Sequence, residues 1–247
     1  MDKEKLIAHF LNSSVEIENI IKAQDIARDC LSHMRDFLKP GMNMERVHQE
    51  CERYMLEKGS EGWWTHNDPA LILFGDLTNY SAHLSPVELI KDKQIRENDL
   101  ITIDVAPMIG KGWGDMARSY VMEEGRIIDW KDCRDSQIRE GMEMEMKLHE
   151  LFVESVRDDT TFAQLHRIVD GYLNEHGYCN CDYHGNFGHT IENHPDERIT
   201  ISEGMDIVIA TYDKPITFEP HICRINGTAG LKYENMYVYL DGKMREL

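Results

Sequence analysis

The feature that most constrains the fold is an Asn226-Gly227 dipeptide between two stretches rich in β-branched and aromatic residues. Asn-Gly is the strongest short-range signal for a two-residue turn that joins antiparallel strands. Glu219 lies seven residues before this turn and Glu234 seven residues after it, so the hairpin would place the two carboxylates opposite each other. Opposed Cβ atoms lie about 4.5–5.5 Å apart, and like charges this close require a proton or a cation between them. The hairpin therefore predicts a metal site.

A second pair of carboxylates repeats this arrangement earlier in the chain. Asp104 and Asp115 oppose each other if the turn between them is centred on Ile109-Gly110, although the neighbouring glycines also allow a bulge that shifts the register. Asp104 belongs to the apolar, β-branched segment 100–105, which is typical of a strand. A carboxylate in such a strand is costly unless it is paired or bound to a cation. The alternative is a surface turn in which both aspartates are solvated.

Composition limits the classes of function. The chain has 247 residues, of which 41% are hydrophobic, and it shows no linker or break in composition, so we expect one domain over residues 1–247. The formal net charge of −18 argues against a nucleic-acid partner and against docking on an anionic membrane. The N-terminus lacks the apolar core of a signal peptide, and no apolar run has the length of a membrane span. We therefore expect a cytoplasmic protein.

Six scattered cysteines, in a chain large enough to be stable without cross-links, predict no disulfide framework. Cys179-Asn180-Cys181 is followed by His184, but this spacing differs from that of the common zinc-binding motifs. A zinc knuckle here is therefore the weaker interpretation.

Hydrophobic periodicity predicts helices that alternate with strands. It favours a helix over about residues 15–39, another from an Asn43 N-cap to Gly59, and a third over about 135–157. A capping box at Thr161-Phe162-Ala163-Gln164 predicts a fourth, which ends at Gly177. We expect strands at residues 70–74, 100–105, 119–122, 199–201, 206–212, 216–224 and 231–240. The elements form two coarse units, each of helices followed by a hairpin that bears a carboxylate pair.

The segment 183–191, Tyr-His-Gly-Asn-Phe-Gly-His-Thr-Ile, supplies a neutral nitrogen ligand. Histidine together with carboxylates suits divalent manganese, iron, cobalt or zinc. Two aspartates, two glutamates and one histidine would hold two such ions, with carboxylates bridging them.

Several motifs occur in one order along the chain and together make a specific pattern. They are Pro40-Gly41-Met42, Ala-His-Leu-Ser-Pro at 82–86, Asn-Asp-Leu-Ile-Thr-Ile-Asp at 98–104, Gly-Trp-Gly-Asp-Met-Ala-Arg-Ser at 112–119, Gly-His-Thr-Ile at 188–191, Phe-Glu-Pro at 218–220 and Tyr-Glu-Asn at 233–235. In this order the chain resembles the pita-bread metallopeptidase superfamily, peptidase family M24, which includes methionine aminopeptidase, aminopeptidase P and prolidase. The resemblance implies an α+β fold in which a curved antiparallel sheet, flanked by helices, forms two pseudo-twofold halves.

The resemblance also implies a metal centre. Its ligands would be Asp104, Asp115, His189, Glu219 and Glu234, which would bind two divalent ions (Mn, Co, Fe or Zn). A water bridging the two ions would be the nucleophile. Glu219 would shuttle the proton of this water.

Three further histidines, His83, His184 and His194, resemble histidines of the superfamily's substrate site, and His221 stands beside Glu219-Pro220 where it could line the same site. His83 and His194, as neutral imidazoles, would hydrogen-bond the substrate and the oxyanion, and His184 and His221 would line the substrate site. Around these residues the chain departs from the superfamily pattern. The spacings from His189 to His184 and to His194 differ from those of the superfamily. A longer segment around residues 209–215 precedes Glu219, and His221 replaces a residue that is commonly small.

The resemblance implies a hydrolase that acts on short peptides, most closely an Xaa-Pro aminopeptidase or dipeptidase. Because superfamily members include a lyase and creatinase, non-peptidase chemistry on a small molecule is the alternative. A binding module without metals is a third interpretation. A homodimer would fit this superfamily.

Overall fold

Five α-helices are present in the described part of the chain, which in this computed structural model comprises residues 3–10, 16–64, 68–79 and 93–247. The predicted motif at 82–86, with His83, lies outside the described residues. The helices are α1 (Lys3–Phe10), α2 (Ile17–Phe37), α3 (Met44–Glu57), α4 (Ser136–Ser155) and α5 (Phe162–Glu175).

The first half of the chain forms two antiparallel sheets. Its strands are β1 (Gly62–Trp63), β2 (Leu71–Phe74), β3 (Asp99–Val105), β4 (Pro107–Ile109), β5 (Gly112–Trp113), β6 (Met116–Glu123) and β7 (Arg126–Ile128). One sheet has the order β2-β3-β6-β7 and the other the order β1-β4-β5. Helices α2 and α3 pack on this half and share with its strands a core that includes Met34, Val47, Ile72 and Ile103.

The second half repeats this plan. Its strands are β8 (Tyr178–Asn180), β9 (Gly188–Thr190), β10 (Ile216–Phe218), β11 (His221–Arg224), β12 (Gly230–Lys232), β13 (Asn235–Leu240) and β14 (Lys243–Glu246). The sheets have the orders β14-β13-β10-β9 and β12-β11-β8. Helices α4 and α5 cover them, and their core includes Leu148, Phe152, Phe162 and Phe218.

The two halves meet where β6 approaches the start of β13. Arg118 forms an isolated bridge with Tyr233, and the amide of Glu234 donates to Ala117 O at 3.1 Å. This junction places the end of β12 against the strand that follows Asp115.

The helix-start signals are confirmed. The Asn43 side chain accepts a hydrogen bond from the amide of Arg46 and begins α3. Thr161 and Gln164 form the reciprocal capping box that begins α5. Local side-chain to backbone bonds of this kind depend only on nearby residues, and for that reason the sequence alone reveals them.

Two predicted strands are wrong. Residues 199–201 make only a single bridge, between Thr200 and His189, and residues 206–212 contain a single turn of 3₁₀-helix, Ile209–Thr211. Their apolar residues are buried nevertheless, since Ile201 and Ile209 are both 0% exposed. The predicted strands 216–224 and 231–240 are each divided into two strands, on either side of the two glutamates.

In the described ranges every helix is too short or too polar to cross a lipid bilayer. The assignment of one domain to residues 1–247 and the cytoplasmic location stay predictions.

Candidate metal centre

The opposed glutamates lie where the sequence predicts. Phe218 opposes Asn235 in the β10–β13 ladder, and His221 opposes Lys232 in the β11–β12 ladder, so both ladders keep the predicted register on either side of Glu219 and Glu234. The turn itself is wider than predicted. The connection spans residues 224–229, because Cys223 and Gly230 form the last pair of the ladder.

The predicted opposition of Asp104 and Asp115 is wrong. Asp104 opposes Ala117, and the turn is centred on Gly110-Lys111 because Ile109 pairs with Gly112. Gly110 has a φ of +58°, which glycine adopts without strain. The shift amounts to two residues along the strand, so both side chains keep the same face.

All five predicted ligands nevertheless converge. Carboxylate oxygens of Asp104, Asp115 and Glu234 lie within 4.8 Å of one another. His189 Nε2 lies 3.6 Å from Asp115 Oδ2 and 3.3 Å from Glu219 Oε1. Two ligands therefore come from the first half of the fold and three from the second.

Lys232 belongs to the candidate centre, and the sequence analysis missed it. Its Nζ lies 2.6 Å from Asp104 Oδ2, 2.8 Å from Glu219 Oε2 and 3.6 Å from Glu234 Oε2, and the residue is only 8% exposed. The alternation of side chains along a strand contains the signal, because Lys232 precedes Glu234 by two residues and shares its face. Its ammonium partly balances the four carboxylates.

The buried carboxyl groups differ in their protonation. Burial raises the pKa of Glu234 and of Asp115 well above the ordinary range, and neighbouring carboxylates raise both further. Burial has the same direction for Glu219, but the charges of Lys232 and His189 outweigh it and lower its pKa. The pKa shifts of these neighbouring carboxyls therefore run in opposite directions, raised at Glu234 and Asp115 and lowered at Glu219.

The donor set fits divalent cations. Burial lowers the pKa of His189 to about 4, so the imidazole is neutral and has a lone pair for a metal. Glu234 Oε1 accepts a hydrogen bond from Thr217 Oγ1 at 2.6 Å, whereas Oε2 is buried without a hydrogen-bond partner among the described residues. The Lys232 ammonium lies 3.6 Å from Oε2, beyond hydrogen-bonding distance, and a bound cation would give this buried carboxylate a closer partner.

Other residues fix the ligands in place and were also missed. The Gln24 side chain accepts from the Asp115 amide at 2.9 Å and donates to the Asp115 carbonyl at 3.2 Å. Arg118 donates to the carbonyl of Glu234 at 2.6 Å. The stacked rings of Trp64 and Trp113 lie beside the His189 imidazole, with centroids 5.5 and 5.8 Å away.

The three predicted substrate histidines within the described residues, His184, His194 and His221, occupy different environments. His221 is buried opposite Lys232, its Nε2 lies 2.6 Å from Thr78 O, and burial lowers its pKa to about 4. His184 and His194 are exposed, the latter directly before the short turn Pro195–Glu197. The structure therefore brings His221 to the strands of the centre, and the roles of these three and of His83 stay predictions.

The longer segment before Glu219 is anchored next to the strand that bears His189. Glu192 is buried and accepts from Thr190 Oγ1 at 2.7 Å and from the Tyr212 hydroxyl at 2.8 Å, and it forms an ion pair with Lys214. This network fixes the segment to the end of β9.

Comparison with known proteins agrees with this geometry. A family model described as metallopeptidase family M24 matches residues 18–240. The uncharacterized peptidase YqhT of Bacillus subtilis (strain 168) is 25% identical over 247 residues, which are 99% of this chain and 63% of that protein.

Solved structures show the same fold at low identity. An X-Pro aminopeptidase from Thermotoga maritima superposes with a TM-score of 0.78 at 18% identity, over 100% of this chain and 64% of that one. A methionine aminopeptidase from Thermotoga maritima has a TM-score of 0.73 at 15% identity, over 95% of this chain and 97% of that one. The chain thus spans less than two thirds of the first two relatives. The α+β pita-bread fold predicted from the motifs is confirmed.

Proposed function

This chain belongs to metallopeptidase family M24, and we propose that it is a dinuclear metal-dependent exopeptidase that releases an N-terminal residue or dipeptide, with a preference for Xaa-Pro peptides. One observation carries the proposal. Two buried and two partly buried carboxylates, one with an oxygen that accepts no hydrogen bond within the described residues, converge with the neutral imidazole of His189. Family membership supports the use of divalent metal, and the number of ions and their identity belong to the proposal.

The proposed ligands are Asp104, Asp115, His189, Glu219 and Glu234, and Mn²⁺, Co²⁺, Fe²⁺ and Zn²⁺ all suit this set. When bound, the ions would supply Lewis acidity that activates water and polarises the scissile carbonyl. Four carboxylates against the single ammonium of Lys232 leave an excess of negative charge, and this excess favours two cations over one.

Glu219 is the residue best suited to move a proton. Its lowered pKa keeps it ionised at neutral pH, so it accepts a proton from water and returns it to the leaving amine. Neutral His83 and His194 would donate hydrogen bonds to the carbonyl oxygen of the substrate. His184 and His221 would line the space for the residues on either side of the scissile bond.

The charge of the centre supports an exopeptidase. A peptide N-terminus is an ammonium group, and buried carboxylates favour a substrate that presents this cation next to the bond to be cleaved. The preference for Xaa-Pro rests on the likeness to an X-Pro aminopeptidase over the whole of this chain, together with the position of His184 upstream of His189.

The test is peptide cleavage by protein loaded with one metal at a time. Purified chain with Mn²⁺, Co²⁺, Fe²⁺ or Zn²⁺ is offered dipeptides, Xaa-Pro peptides and peptides that begin with methionine, and the products are separated by mass. We expect release of N-terminal residues or dipeptides, and no activity in Asp104→Ala or Glu234→Ala. The control Glu154→Ala removes an exposed carboxylate of α4 and should keep full activity. Metal-loaded protein that cleaves none of these peptides would refute the proposal.

A second candidate is non-peptidase chemistry on a small molecule at the same centre. It is favoured by the side chains beside the metal ligands, because His221 and Lys232 place a buried imidazole and a buried ammonium there. Turnover of small non-peptide amides or amidines, with peptides left intact, would support this candidate over the first.

A binding module without metals is the least supported interpretation, since all five ligand types converge. Elemental analysis of the purified chain decides it. Less than one tightly bound divalent ion per chain, after incubation with each metal, would favour the binding module.

A further inference from the structure

Three thiols converge on the sheet β12-β11-β8, outside the carboxylate centre. Cys179 opposes Cys223 across the β8–β11 ladder, and their Sγ atoms are 3.3 Å apart. The amide of Cys181 donates to His221 O at 2.6 Å and so continues the ladder beyond β8. Because side chains alternate along a strand, Cys181 shares the face of Cys179. The three Sγ atoms lie within 4.8 Å of one another, and all three cysteines are free thiols.

Each of these thiols is crowded by the others. Burial raises the pKa of Cys181, and hydrogen bonding with the Cys223 thiol raises it further. The same two causes, in the same order, raise the pKa of Cys179. A metal ion that replaces the three thiol protons would bind these partly buried sulfurs, which otherwise contact one another.

We propose that Cys179, Cys181 and Cys223 bind one d¹⁰ metal ion, Zn²⁺ or Cu(I), at a site separate from the carboxylate centre. Soft thiolates select these ions, whereas carboxylates and imidazole accept manganese, iron and cobalt. Sulfurs that share one zinc at a Zn–S distance of about 2.3 Å lie roughly 3.8 Å apart in a tetrahedron. Cys179 and Cys223 have their sulfurs 3.3 Å apart, and each other pair is separated by at most 4.8 Å, so small side-chain rotations would complete the site.

The protein supplies three ligands, and the fourth position of a tetrahedral ion is left to solvent or to an external ligand. Asp182 follows Cys181 directly, but its carboxylate accepts hydrogen bonds from residues of its own loop. Its Oδ1 accepts from the amides of His184 and Asn186, at 2.9 and 3.1 Å, and from the side-chain amide of Asn186 at 2.9 Å. Each thiol loses a proton as its sulfur binds the metal, and no sulfur is oxidised.

The site would tie together the two strands that flank the metal centre. Strand β11 begins two residues after Glu219, and β8 lies beside it. An ion bound to Cys179, Cys181 and Cys223 links these strands and stabilises the folded chain, because the unfolded chain has no preformed site.

The experiment titrates the reduced, full-length chain with Cd²⁺ and follows the ultraviolet thiolate-to-cadmium charge-transfer absorption. Carboxylates and imidazole do not produce this absorption, so the result is independent of the proposed peptidase function. We expect saturation at one ion per chain, reversal by Zn²⁺ and no reversal by Mn²⁺. Cys181→Ser and Cys223→Ser should each weaken binding at least tenfold. The control Cys133→Ser alters a buried cysteine that does not belong to the three-thiol cluster and should bind as the wild type does.

Circular dichroism checks that each variant folds. If one serine variant does not fold, the other still tests the proposal. Wild-type absorption in both Cys181→Ser and Cys223→Ser would overturn the proposal, as would a wild-type protein that shows no absorption. A Cys179–Cys223 disulfide in chain kept under reducing conditions would also overturn it, because that bond consumes two of the three ligands.

Discussion

Lys232 sets the charge of the candidate centre at the scale of single residues. Its ammonium lies within ion-pair distance of Asp104, Glu219 and Glu234, in the space where a divalent ion would bind the same oxygens. A lysine and a metal ion therefore compete for three of the five ligands. This competition lowers metal affinity, and it also relieves the repulsion among the carboxylates when metal is scarce.

Replacement of Lys232 should separate these two effects. In Lys232→Met we expect Mn²⁺ to bind at least tenfold more tightly, because the internal cation no longer competes for the carboxylates. We also expect the metal-free chain to lose about 3 kcal/mol of unfolding free energy, since buried charges are left unpaired. Calorimetric Mn²⁺ titration and chemical unfolding in EDTA measure the two quantities.

Two controls accompany this prediction. Lys232→Arg keeps the charge and should not tighten metal binding. Lys214→Met removes a partly buried lysine that pairs with Glu192 outside the centre, so it should lower stability without changing Mn²⁺ affinity. Equal Mn²⁺ affinity in Lys232→Met and wild type would contradict the competition.

His149 is a second residue whose burial has a measurable consequence. Its Nδ1 lies 2.6 Å from the Tyr237 hydroxyl and its Nε2 lies 2.9 Å from Tyr233 O, and burial lowers its pKa to about 4. The folded chain therefore favours neutral His149, while the unfolded chain protonates it near its ordinary pKa. This stability is fully present above the unfolded pKa of about 6.5 and is lost as the pH falls towards 4.

The loss from His149 should reach about 2 kcal/mol at pH 5. In EDTA, His149→Gln should lose correspondingly less unfolding free energy than the wild type between pH 7.5 and pH 5, because glutamine does not titrate. His189 and His221 titrate in both proteins, so the difference isolates His149. Identical pH profiles for the two proteins would show that His149 is not the group responsible.

At the scale of elements, the close contact of β9 with β10 positions His189. Gly188 has a φ of +139°, and a Cβ on it would lie 2.1 Å from Thr217 O in the neighbouring strand. Because Thr217 also donates to Glu234, an added methyl group would displace two ligand-bearing strands. Only glycine satisfies both the backbone angle and the contact.

Gly188→Ala should therefore reduce Mn²⁺ affinity at least tenfold or prevent folding. The control is Gly171→Ala in α5, where no atom lies within 4 Å of the new Cβ. That control should bind Mn²⁺ as the wild type does and gain about 0.5–1 kcal/mol of stability. Calorimetry and thermal unfolding distinguish the two variants, and wild-type affinity in Gly188→Ala would be inconsistent with the contact.

The elements also show what a sequence can and cannot reveal. The register that pairs Glu219 with Glu234 is predictable, because the ladders on either side of the pair both keep the register set by the Asn226-Gly227 connection. The Asp104 register is not, since Gly110 can occupy either position of the two-residue turn and nothing local determines which position it takes. Lys232 was missed for another reason. Alternation along the strand shows that it shares a face with Glu234, but its partners come from β3 and from the breaks that contain Glu219 and Glu234, so only the assembled fold shows that its ammonium is buried among three carboxylates.

At the scale of the whole molecule, the centre joins the two halves of the fold. Asp104 and Asp115 come from the first half, and His189, Glu219 and Glu234 come from the second. Metal ions at this centre would cross-link two separate hydrophobic cores. The coarse repeat of helices and hairpins in the sequence thus has a physical meaning, because each half contributes a carboxylate pair that is repulsive on its own.

Metal binding should therefore stabilise both halves together. Three of the four tryptophans lie where the halves meet, since Trp64 and Trp113 pack with Ile191 and Met236 and Trp130 packs against the core of the second half, so their fluorescence follows the packing between the halves and circular dichroism follows the backbone of both. At Mn²⁺ concentrations a hundredfold above the dissociation constant, the expected stabilisation is about 2.7 kcal/mol. Both signals should move to the same higher melting temperature relative to chain in EDTA. In Asp104→Ala both shifts should disappear. A shift confined to one of the two signals would contradict a centre that stabilises both halves together.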